Sequence, residues 1–377
     1  MNNIENKQVS SLARLSKNVR ANLRIVWAIA RKDIVDAIKN KTVLSVLGSV
    51  VFTVAMYKLL PYLDRDGELP NLLLYDAGGS ALTVQLEGSP QLKLYTYDTQ
   101  EQMERVLTRA DDFELGLVFP ADLDRRIAAG EGVELQGYAS YWIDEAKTDE
   151  LRQTFENELA FYAGVPVTID AELHKLYPQD PAVPGSGFMV SMAIVLVLTM
   201  VGVLMVVHLM LEEKQTQTLD ALMVSPASPL QMILGKAVTG VVYCAIGVVA
   251  VYAVNPAYVT HWGLALCAGF CGSLFTVGLG LWLGTLFESR QQLTLWGFLL
   301  MNVLLLPMFL VVMADLLPPV AVGIMQWIPT SVTAWLVRAS FPARVPVGQV
   351  LVRLGYVLAW AVAALTIGAR RVRRLER

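Results

Sequence analysis

The chain has 377 residues, of which 55% are hydrophobic and only 17% are charged. Soluble domains average about 25% charged residues, so this composition argues against a soluble protein and favours a membrane protein. The charges are also segregated. Residues 1–41 carry nine Lys/Arg against three acids, residues 62–186 carry nine against 24, and residues 370–377 carry five Arg against one Glu. Two basic ends and an acidic middle of about −15 indicate separate aqueous compartments, and the acidic middle excludes nucleic acid as a natural partner.

The basic N-terminal arm, residues 1–41, contains a predicted amphipathic helix. Its apolar residues recur every three or four positions, at Val19, Leu23, Val26, Trp27, Ala30, Ile34 and Ile38. Charged residues, Asp33 among them, fall between these positions. A periodic apolar stripe with a tryptophan and flanking basic charge is typical of a helix that lies along the inner membrane surface. Packing on another cytoplasmic domain is the alternative, but no other predicted cytoplasmic stretch is large enough to form one.

Six apolar stretches are long enough to cross a bilayer, which takes about 20 consecutive residues in a helix. They cover residues 42–63, 187–211, 232–254, 263–287, 293–313 and 350–369. The first is predicted to be a permanent span rather than a cleavable signal peptide, because 41 residues precede it and it has no small-residue cleavage site.

The lysines and arginines of the short flanks predict the orientation of these spans. The basic arm and the five-arginine tail, residues 370–377, both indicate cytoplasmic ends, and six spans satisfy both. A further apolar run, residues 320–338, is interrupted by Pro329. As a seventh span it would put the arginine tail outside, and the roughly nine residues before the proline reach only about 13 Å. We therefore predict outer-face or re-entrant half-helices within residues 315–347.

With the N terminus inside, residues 64–186 lie outside and alternate between predicted strands and helices. Strands are predicted at 71–75, 92–97, 115–119 and 133–138, and helices at 100–109, 121–129 and 145–163. This alternation predicts a small α/β extracytoplasmic domain between spans one and two of an α-helical, six-span membrane protein. The domain shows no catalytic grouping, because His174 stands alone and its acidic pairs are typical of a solvated surface.

The three cysteines all lie within predicted spans, at Cys244, Cys267 and Cys271. The outer domain therefore has no disulfide and must fold on its own core. Cys267 and Cys271 have the i, i+4 spacing of a metal pair but no further ligand nearby, so we interpret them as packing residues and predict no metal site.

The connection between spans two and three, residues 212–231, is the most informative segment. Glu212 and Glu213 fall at the C-terminal end of a span, where the helix dipole disfavours carboxylates, so a cationic partner or a new helix start is expected close by. Leu219, Leu222 and Met223 form an apolar face on a helix of about two turns, which is too short to be stable uncovered. A groove on a partner protein would cover that face, and burial against the chain's own membrane domain is the alternative.

The third span is predicted to begin sharply. Ser228, Pro229, Leu230 and Gln231 match a capping box with proline at the first helical position.

This segment resembles the signature loop of the type-2 ABC exporter permeases. The resemblance rests on Glu212, Glu213 and Lys214 at the inner end of span two, on the run 218–226, and on the Gly235-Lys236 pair. Gln217 departs from the pattern, in which a glycine usually precedes the threonine. The resemblance extends over most of the chain, whose helix, single span, outer domain and five further spans are similar to the multidrug and sodium-export branch.

The resemblance implies a coupling helix that docks on a separate ATPase subunit. The residues it assigns to this coupling are Glu212, Glu213, Lys214, Thr218, Leu219, Asp220, Leu222, Met223 and Pro226. It also implies that the N-terminal helix is an elbow helix, with Leu23, Trp27, Ile34 and Ile38 on its apolar side. Two ATPase subunits and a second permease copy, most simply an identical one, would complete the transporter in a bacterial plasma (inner) membrane.

The chain has no phosphate-binding loop of its own. Gly235-Lys236 has Leu230 where the earlier glycine of such a loop belongs and Ala237 where its hydroxyl residue belongs. ATP and magnesium are therefore expected on the partner ATPase, and the chain is predicted to be neither an enzyme nor the holder of a cofactor.

Polar groups within spans are candidates for a transport pathway, because burying charge in lipid costs about 2.5–3.5 kcal/mol. Asn302 lies in the middle of span five, and Lys58 and Arg353 lie near the outer ends of spans one and six. An interhelical hydrogen bond is the alternative for Asn302, and snorkelling to the interface is the alternative for the two cations. His208 is interpreted as interfacial. The otherwise apolar spans favour an amphiphilic substrate.

Small-residue spacings occur in span four, at Gly278, Gly280 and Gly284, and we interpret them as packing within one chain rather than a dimer contact. Two other functions stay open from the residues alone. A secondary transporter or channel would usually show internal repeats, which are not visible here. A membrane-anchored sensor or scaffold would use the outer domain to bind a partner.

Overall fold

The computed structural model of the protein describes residues 20, 22–36, 44–45, 48, 52, 69–109, 112–170, 173–182, 185, 187–215 and 228–375. Side chains at 213, 229, 312, 313, 315 and 372–375 are not described. The predicted first span therefore lies almost wholly outside the described residues. The predicted two-turn helix of the loop, Ile38 and Lys58 also lie outside them.

An α/β unit follows the N-terminal helix α1, which covers residues 22–36. Its elements in chain order are β1 (Asn71–Asp76), α2 (Ala81–Leu86), β2 (Lys93–Tyr97), α3 (Gln100–Arg109), β3 (Leu115–Phe119), α4 (Leu123–Ala128), β4 (Val133–Ser140), α5 (Glu145–Ala163), β5 (Val167–Ile169) and β6 (His174–Leu176). The four predicted strands and three predicted helices are present. The short elements α2, β5 and β6 were not predicted.

One mixed sheet organises this unit. Its strand order is β2-β1-β3-β4-β5, and β6 also pairs with β4. β1 runs parallel to both β2 and β3, whereas β4 is antiparallel to β3 and parallel to β5 and β6. Helices α2 and α3 make the connections out of β1 and β2, as parallel neighbours require.

The sheet is covered on both faces, which explains the continuous apolar run of β1. Leu72 and Leu74 pack with Phe155 of α5 on one face, while Leu73 packs with Met103 and Leu107 of α3 on the other. A strand buried on both faces needs apolar residues at consecutive positions rather than in alternation. The unit thus has the hydrophobic core that a segment without disulfides requires.

The rest of the described chain is helical. Helix α6 (Phe188–Thr199) continues through a π-helical segment (Met200–Met205) into α7 (Val206–Gln215), and the later helices are α8 (Pro229–Val254), α9 (Trp262–Leu286), α10 (Arg290–Leu310), α11 (Pro319–Met325), α12 (Pro329–Arg338) and α13 (Val347–Leu375).

Five helical stretches in the described chain are long and apolar enough to cross a membrane. They are Phe188–Glu212, Leu230–Val254, Trp262–Leu286, Arg290–Leu310 and Val347–Arg371, which correspond to predicted spans two to six. The predicted half-helices are present as α11 and α12, which meet at 81° and form either a broken crossing or a re-entrant loop. With the first span outside the described residues, the total of six stays a prediction.

Glycines let helix α9 lie close to its neighbours. A Cβ added at Gly280 would lie 2.4 Å from the carbonyl oxygen of Gly202, and one at Gly284 would lie 2.8 Å from Met210 Cβ. Gly278 faces α13, where an added Cβ would lie 3.1 Å from Leu365 Cγ. All three contacts are within one chain, as predicted for these glycines.

The α/β unit rests on one end of the helical bundle, which we call the domain end. Trp142, just after β4, stacks on Tyr258 with ring centroids 5.6 Å apart and planes 13° apart. Arg338 Nε, at the end of α12, donates a hydrogen bond to the carbonyl oxygen of Pro181 at 2.8 Å. The opposite end, where α7 ends and α8 begins, is called the loop end.

Candidate functional site

The loop end presents the two points from which residues 216–227 depart. On the first side, Lys214 near the end of α7 reaches the C terminus of α9. Its Nζ donates hydrogen bonds to the carbonyl oxygens of Gly284 at 2.8 Å and Phe287 at 3.0 Å. The last carbonyls of a helix have no partner within that helix, and a lysine there also favours the dipole. Lys214 therefore fastens α7 to α9.

Neighbouring charges complete this first side. Arg290 Nε, at the start of α10, donates a hydrogen bond to Gln215 Oε1 at 3.2 Å. Burial lowers the pKa of the Lys214 ammonium from its ordinary value, and the nearby Glu288 carboxylate acts in the opposite direction. Glu212 is half-buried, and the side chain of Glu213 is not described. Glu212 thus lies at the same end of the bundle as Lys214 and Arg290, and the cationic partner expected for the two carboxylates stays a prediction.

The second side is the start of α8, and its predicted capping box is confirmed. Ser228 Oγ accepts from the Gln231 backbone N–H at 3.3 Å, while Gln231 Oε1 accepts from the Ser228 backbone N–H at 2.7 Å. Gln231 also reaches the N-terminal helix, because its Nε2 donates to Asn22 Oδ1 at 2.8 Å. The chain therefore leaves the loop into a helix whose first turn is fixed.

Helix α1 lies along the first turns of α8. The Lys236 ammonium, 2% exposed, lies 3.5 Å from Asp33 Oδ2. Backbone oxygens of Ala30 and Ile34 accept hydrogen bonds from Thr239 Oγ1 at 3.3 Å and Tyr243 OH at 2.6 Å. These contacts make α1 and the start of α8 one packed body, which we call the α1–α8 joint.

Gly235 permits this close approach. A Cβ added there would lie 2.6 Å from Ile29 Cγ2. The Gly235-Lys236 pair therefore serves packing and an ion pair in this structure.

The face of α1 used in the joint differs from the predicted stripe. Val26 and Ala30 are buried as expected, and Ile34 is half-buried against the bundle core. Asp33, interpreted from the pattern as part of the polar face, is instead buried beside Lys236. The stripe extends sideways beyond the joint, because Leu23 and Trp27 are 61% and 58% exposed. Those two side chains are the exposed part of the stripe among the described residues, and their contact with lipid stays a prediction.

A cleft of about 580 Å³ separates α6–α7 from α10, and we call it the α7–α10 cleft. Its walls are mostly apolar, with Met200, Leu204 and Met301 among the lining side chains. Asn302 lines it as well, and its Nδ2 donates to the Phe298 carbonyl oxygen at 2.8 Å within the same helix. The predicted pathway residue thus lies on a cavity, and its described hydrogen bond is intrahelical rather than interhelical.

His208 is a functional candidate that the sequence interpretation missed. It lines the same cleft and is 9% exposed, rather than sitting at an open interface. Its Nε2 atom is buried and has no hydrogen-bond partner among the described residues. From the sequence, a histidine one turn before the end of an apolar span could lie at the membrane interface or on the wall of a cleft. The pattern does not distinguish the two, because the facing wall comes from α10, more than 80 residues later in the chain.

Arg353 does not line the cleft but packs against tryptophans at and near α12. Its guanidinium carbon is 3.7 Å from the Trp335 ring centroid and 5.7 Å from that of Trp327, a cation–π arrangement. Arg353 and Asn302 are therefore not brought together as one pathway. Arg338, which no pattern singled out, is 7% exposed and holds the linker carbonyl described above.

Comparison with known families gives a match over most of the chain. Residues 41–370 match the family described as ABC-2 family transporter protein. The matched range includes the predicted spans, the α/β unit and the loop between α7 and α8. Comparison with curated proteins gives no significant match.

Proposed function

The chain belongs to the ABC-2 transporter family, so it is a multi-pass membrane permease of an ABC transporter, and we propose that it is an exporter subunit coupled to its ATPase through residues 212–231. Glu212, Glu213 and Lys214 would begin this coupling segment, and the apolar face of Leu222 would dock on the ATPase. The proposal adds the direction of transport and the docking residues to the family assignment.

The observation that carries the coupling role is the attachment of the loop to two different parts of the bundle. At one end, Lys214 is hydrogen bonded to the last carbonyls of α9. At the other end, Ser228 caps α8, which is joined to α1 through Asp33 and Lys236. A force on residues 216–227 would therefore act on α7 with α9 and on α8 with α1, and would change the angle between these bodies. Switching by rigid movement of packed elements is a common mode of conformational change.

ATP hydrolysis is assigned to a partner chain. Phosphate-binding loops present backbone N–H groups and an accessible lysine to the nucleotide. Here Lys236 is buried beside Asp33, and Gly235 packs against Ile29, so this pair supports no such use. ATP and magnesium would be held by two ABC ATPase subunits.

The α7–α10 cleft is our proposed part of the substrate pathway. A second permease chain, most simply an identical one, would complete the pathway. Large apolar side chains of α10 that are exposed in the single chain, including Trp296 and Phe298, agree with a surface that meets lipid or a second copy. Both chain ends would face the cytoplasm of a bacterial cell.

The coupling segment is tested by copurification. We expect Leu222→Asp to abolish recovery of the ATPase subunit with the tagged permease, because a charge would enter an apolar docking contact. The matched control is Leu316→Asp in the short 3₁₀ segment (Val311–Leu316) that follows α10, away from the loop end. This leucine is 77% exposed, and the same change should leave recovery unaltered. Retention of the ATPase by Leu222→Asp, or labelling of a cysteine at position 218 from outside the cell, would contradict the proposal.

A further inference from the structure

We propose that the α7–α10 cleft binds an uncharged amphiphile, whose polar group hydrogen bonds to His208 and whose apolar body lies along the wall toward Asn302. The inference rests on the proposed function, since it names the class of cargo that the pathway takes. It is carried by three features of the cleft: its apolar walls, its few polar side chains at two depths, and the absence of ionised side chains from its described lining.

The register of the two walls follows from a glycine. A Cβ added at Gly297 would lie 3.2 Å from Leu204 Cδ2, so these positions face each other. The chain runs in opposite directions along α7 and α10. His208 therefore lies about one turn closer to the loop end than Leu204 does, and Met200 lies level with Met301. His208 is thus level with Leu293, nine residues before Asn302, and at 1.5 Å per residue the two levels are about 13.5 Å apart. The cleft therefore offers polar groups at two depths, separated by an apolar wall.

His208 supplies the ligand-seeking group. Its ring is more than nine-tenths buried, and Nε2 has no partner in the described residues. A buried polar atom that lacks a hydrogen bond is costly, and a ligand hydroxyl or carbonyl would recover that cost. Nε2 itself has almost no solvent access in this conformation, so side chains around it would have to move before a ligand reaches it.

The charge of the ligand follows from what surrounds it. Among the described residues, the lining contains the polar side chains of His208, Thr294 and Asn302 but no carboxylate, ammonium or guanidinium group. An isolated ion would be expensive to bury there, whereas a neutral hydrogen-bonding group would not. The volume of about 580 Å³ is within the range of sites for drug-sized ligands. A single-chain neutral lipid or a compound of similar polarity has the required form.

Photolabelling of the full permease in lipid nanodiscs tests the inference. The probe is a diazirine-bearing monoacylglycerol, and diazirine-bearing fatty acid and alkyltrimethylammonium of the same chain length are the charged counterparts. We expect saturable labelling of the peptides around 200–208 and 293–309 by the neutral probe and weaker labelling by both charged probes. His208→Leu should weaken the apparent affinity about threefold to tenfold, the loss expected for one hydrogen bond. His208→Gln, which keeps a hydrogen-bonding group, should restore most of it.

A pair of glycine substitutions separates filling of the cleft from general damage. Gly297→Leu places a side chain into the cleft and should abolish labelling. Gly355→Leu on α13, where an added Cβ meets no described atom within 4 Å, should not change it. Equal labelling of wild type and His208→Leu, or preference for the ammonium probe, would overturn the inference. Occupation of the site by a second copy or by residues 42–63 would also overturn it. An oxidant would then join the 302 cysteines of two Asn302→Cys copies, or join that cysteine to a second cysteine introduced within residues 42–63.

The two proposals fail separately. The labelling uses permease without ATPase or ATP, so its failure would leave the copurification result intact. Conversely, if Leu222→Asp kept its ATPase and the coupling role were wrong, a saturable, His208-dependent binding site would still be detected by labelling.

Discussion

Helix α9 packs with its backbone against that of the π-helical segment. Gly280→Ala therefore tests how much this close helix packing contributes to the stability of the bundle. The added Cβ would lie 2.4 Å from the carbonyl oxygen of Gly202 and 2.9 Å from that of Val203. Neither obstacle is the flexible end of a side chain, so the two backbones must separate by roughly 1 Å to reach ordinary contact. Overpacking of this kind costs about 1–3 kcal/mol, and we expect the upper part of that range because backbone has to move.

Thermal unfolding of the purified permease in detergent measures this cost. Gly280→Ala should lower Tm by roughly 5 °C, given the few degrees per kcal/mol typical of domains of this size. The matched control is Gly355→Ala, which has open space around the added Cβ and gains about 0.5–1 kcal/mol from the lower flexibility of alanine in a helix. The reasoning is refuted if Gly280→Ala unfolds at the same temperature as Gly355→Ala or above it.

Two further predictions concern the attachments of the loop. Asp33→Asn leaves the buried Lys236 without its carboxylate and should cost about 3–5 kcal/mol, whereas the double variant Asp33→Leu/Lys236→Met should recover most of that stability in the same melting assay. No loss of stability in Asp33→Asn would mean that the α1–α8 joint does not depend on the ion pair, and no recovery in the double variant would mean that the loss does not come from an uncompensated charge. Lys214→Met removes two charged hydrogen bonds to α9 and should cost about 2 kcal/mol and weaken ATPase stimulation by the permease. Lys147→Met, at an exposed pair with Glu150, should stay within about 0.5 kcal/mol of wild type, and an equal effect of both lysine variants would contradict the role of Lys214.

The strands and longer helices of the α/β unit could be predicted because each contains enough residues to show its period. The helix predicted at 145–163 ends where expected, at Gly164, whose φ of 68° suits glycine. The missed strands β5 and β6 have three residues each, and α2 has six. Segments of that length show no periodicity, and their structure depends on pairing with β4 or on capping by Ser80 rather than on local pattern.

The spans were predictable from apolar length, but the partners of their polar residues were not. Asp33 fell on the polar side of a helical wheel, yet Lys236, about 200 residues later, draws it into the interior. His208 is similar, because only the approach of α10 turns an apparently interfacial residue into a wall of the cleft. A single-helix pattern reports the side that avoids water. It contains no information about which neighbour covers that side.

The two attachments of the loop differ in chemistry. This difference predicts which of the two helix contacts opens when the coupling segment moves. Lys214 is held by two carbonyl oxygens at the end of a helix, contacts that can be exchanged for water when the ends separate. The α1–α8 joint combines a buried ion pair with close packing at Gly235, and neither can open without exposing a charge or leaving a void. When the coupling segment is displaced, α8 should therefore carry α1 with it, while the Lys214 hydrogen bonds at the loop ends of α7 and α9 are the contacts that yield. The backbone packing of Gly280 on Gly202, farther from the loop end, should stay closed. Double electron–electron resonance between labels on α1 and α8, and between labels at the loop ends of α7 and α9, would give an unchanged distance for the first pair and a nucleotide-dependent one for the second. The reverse result would show that the elbow, and not the end of α9, is the moving joint.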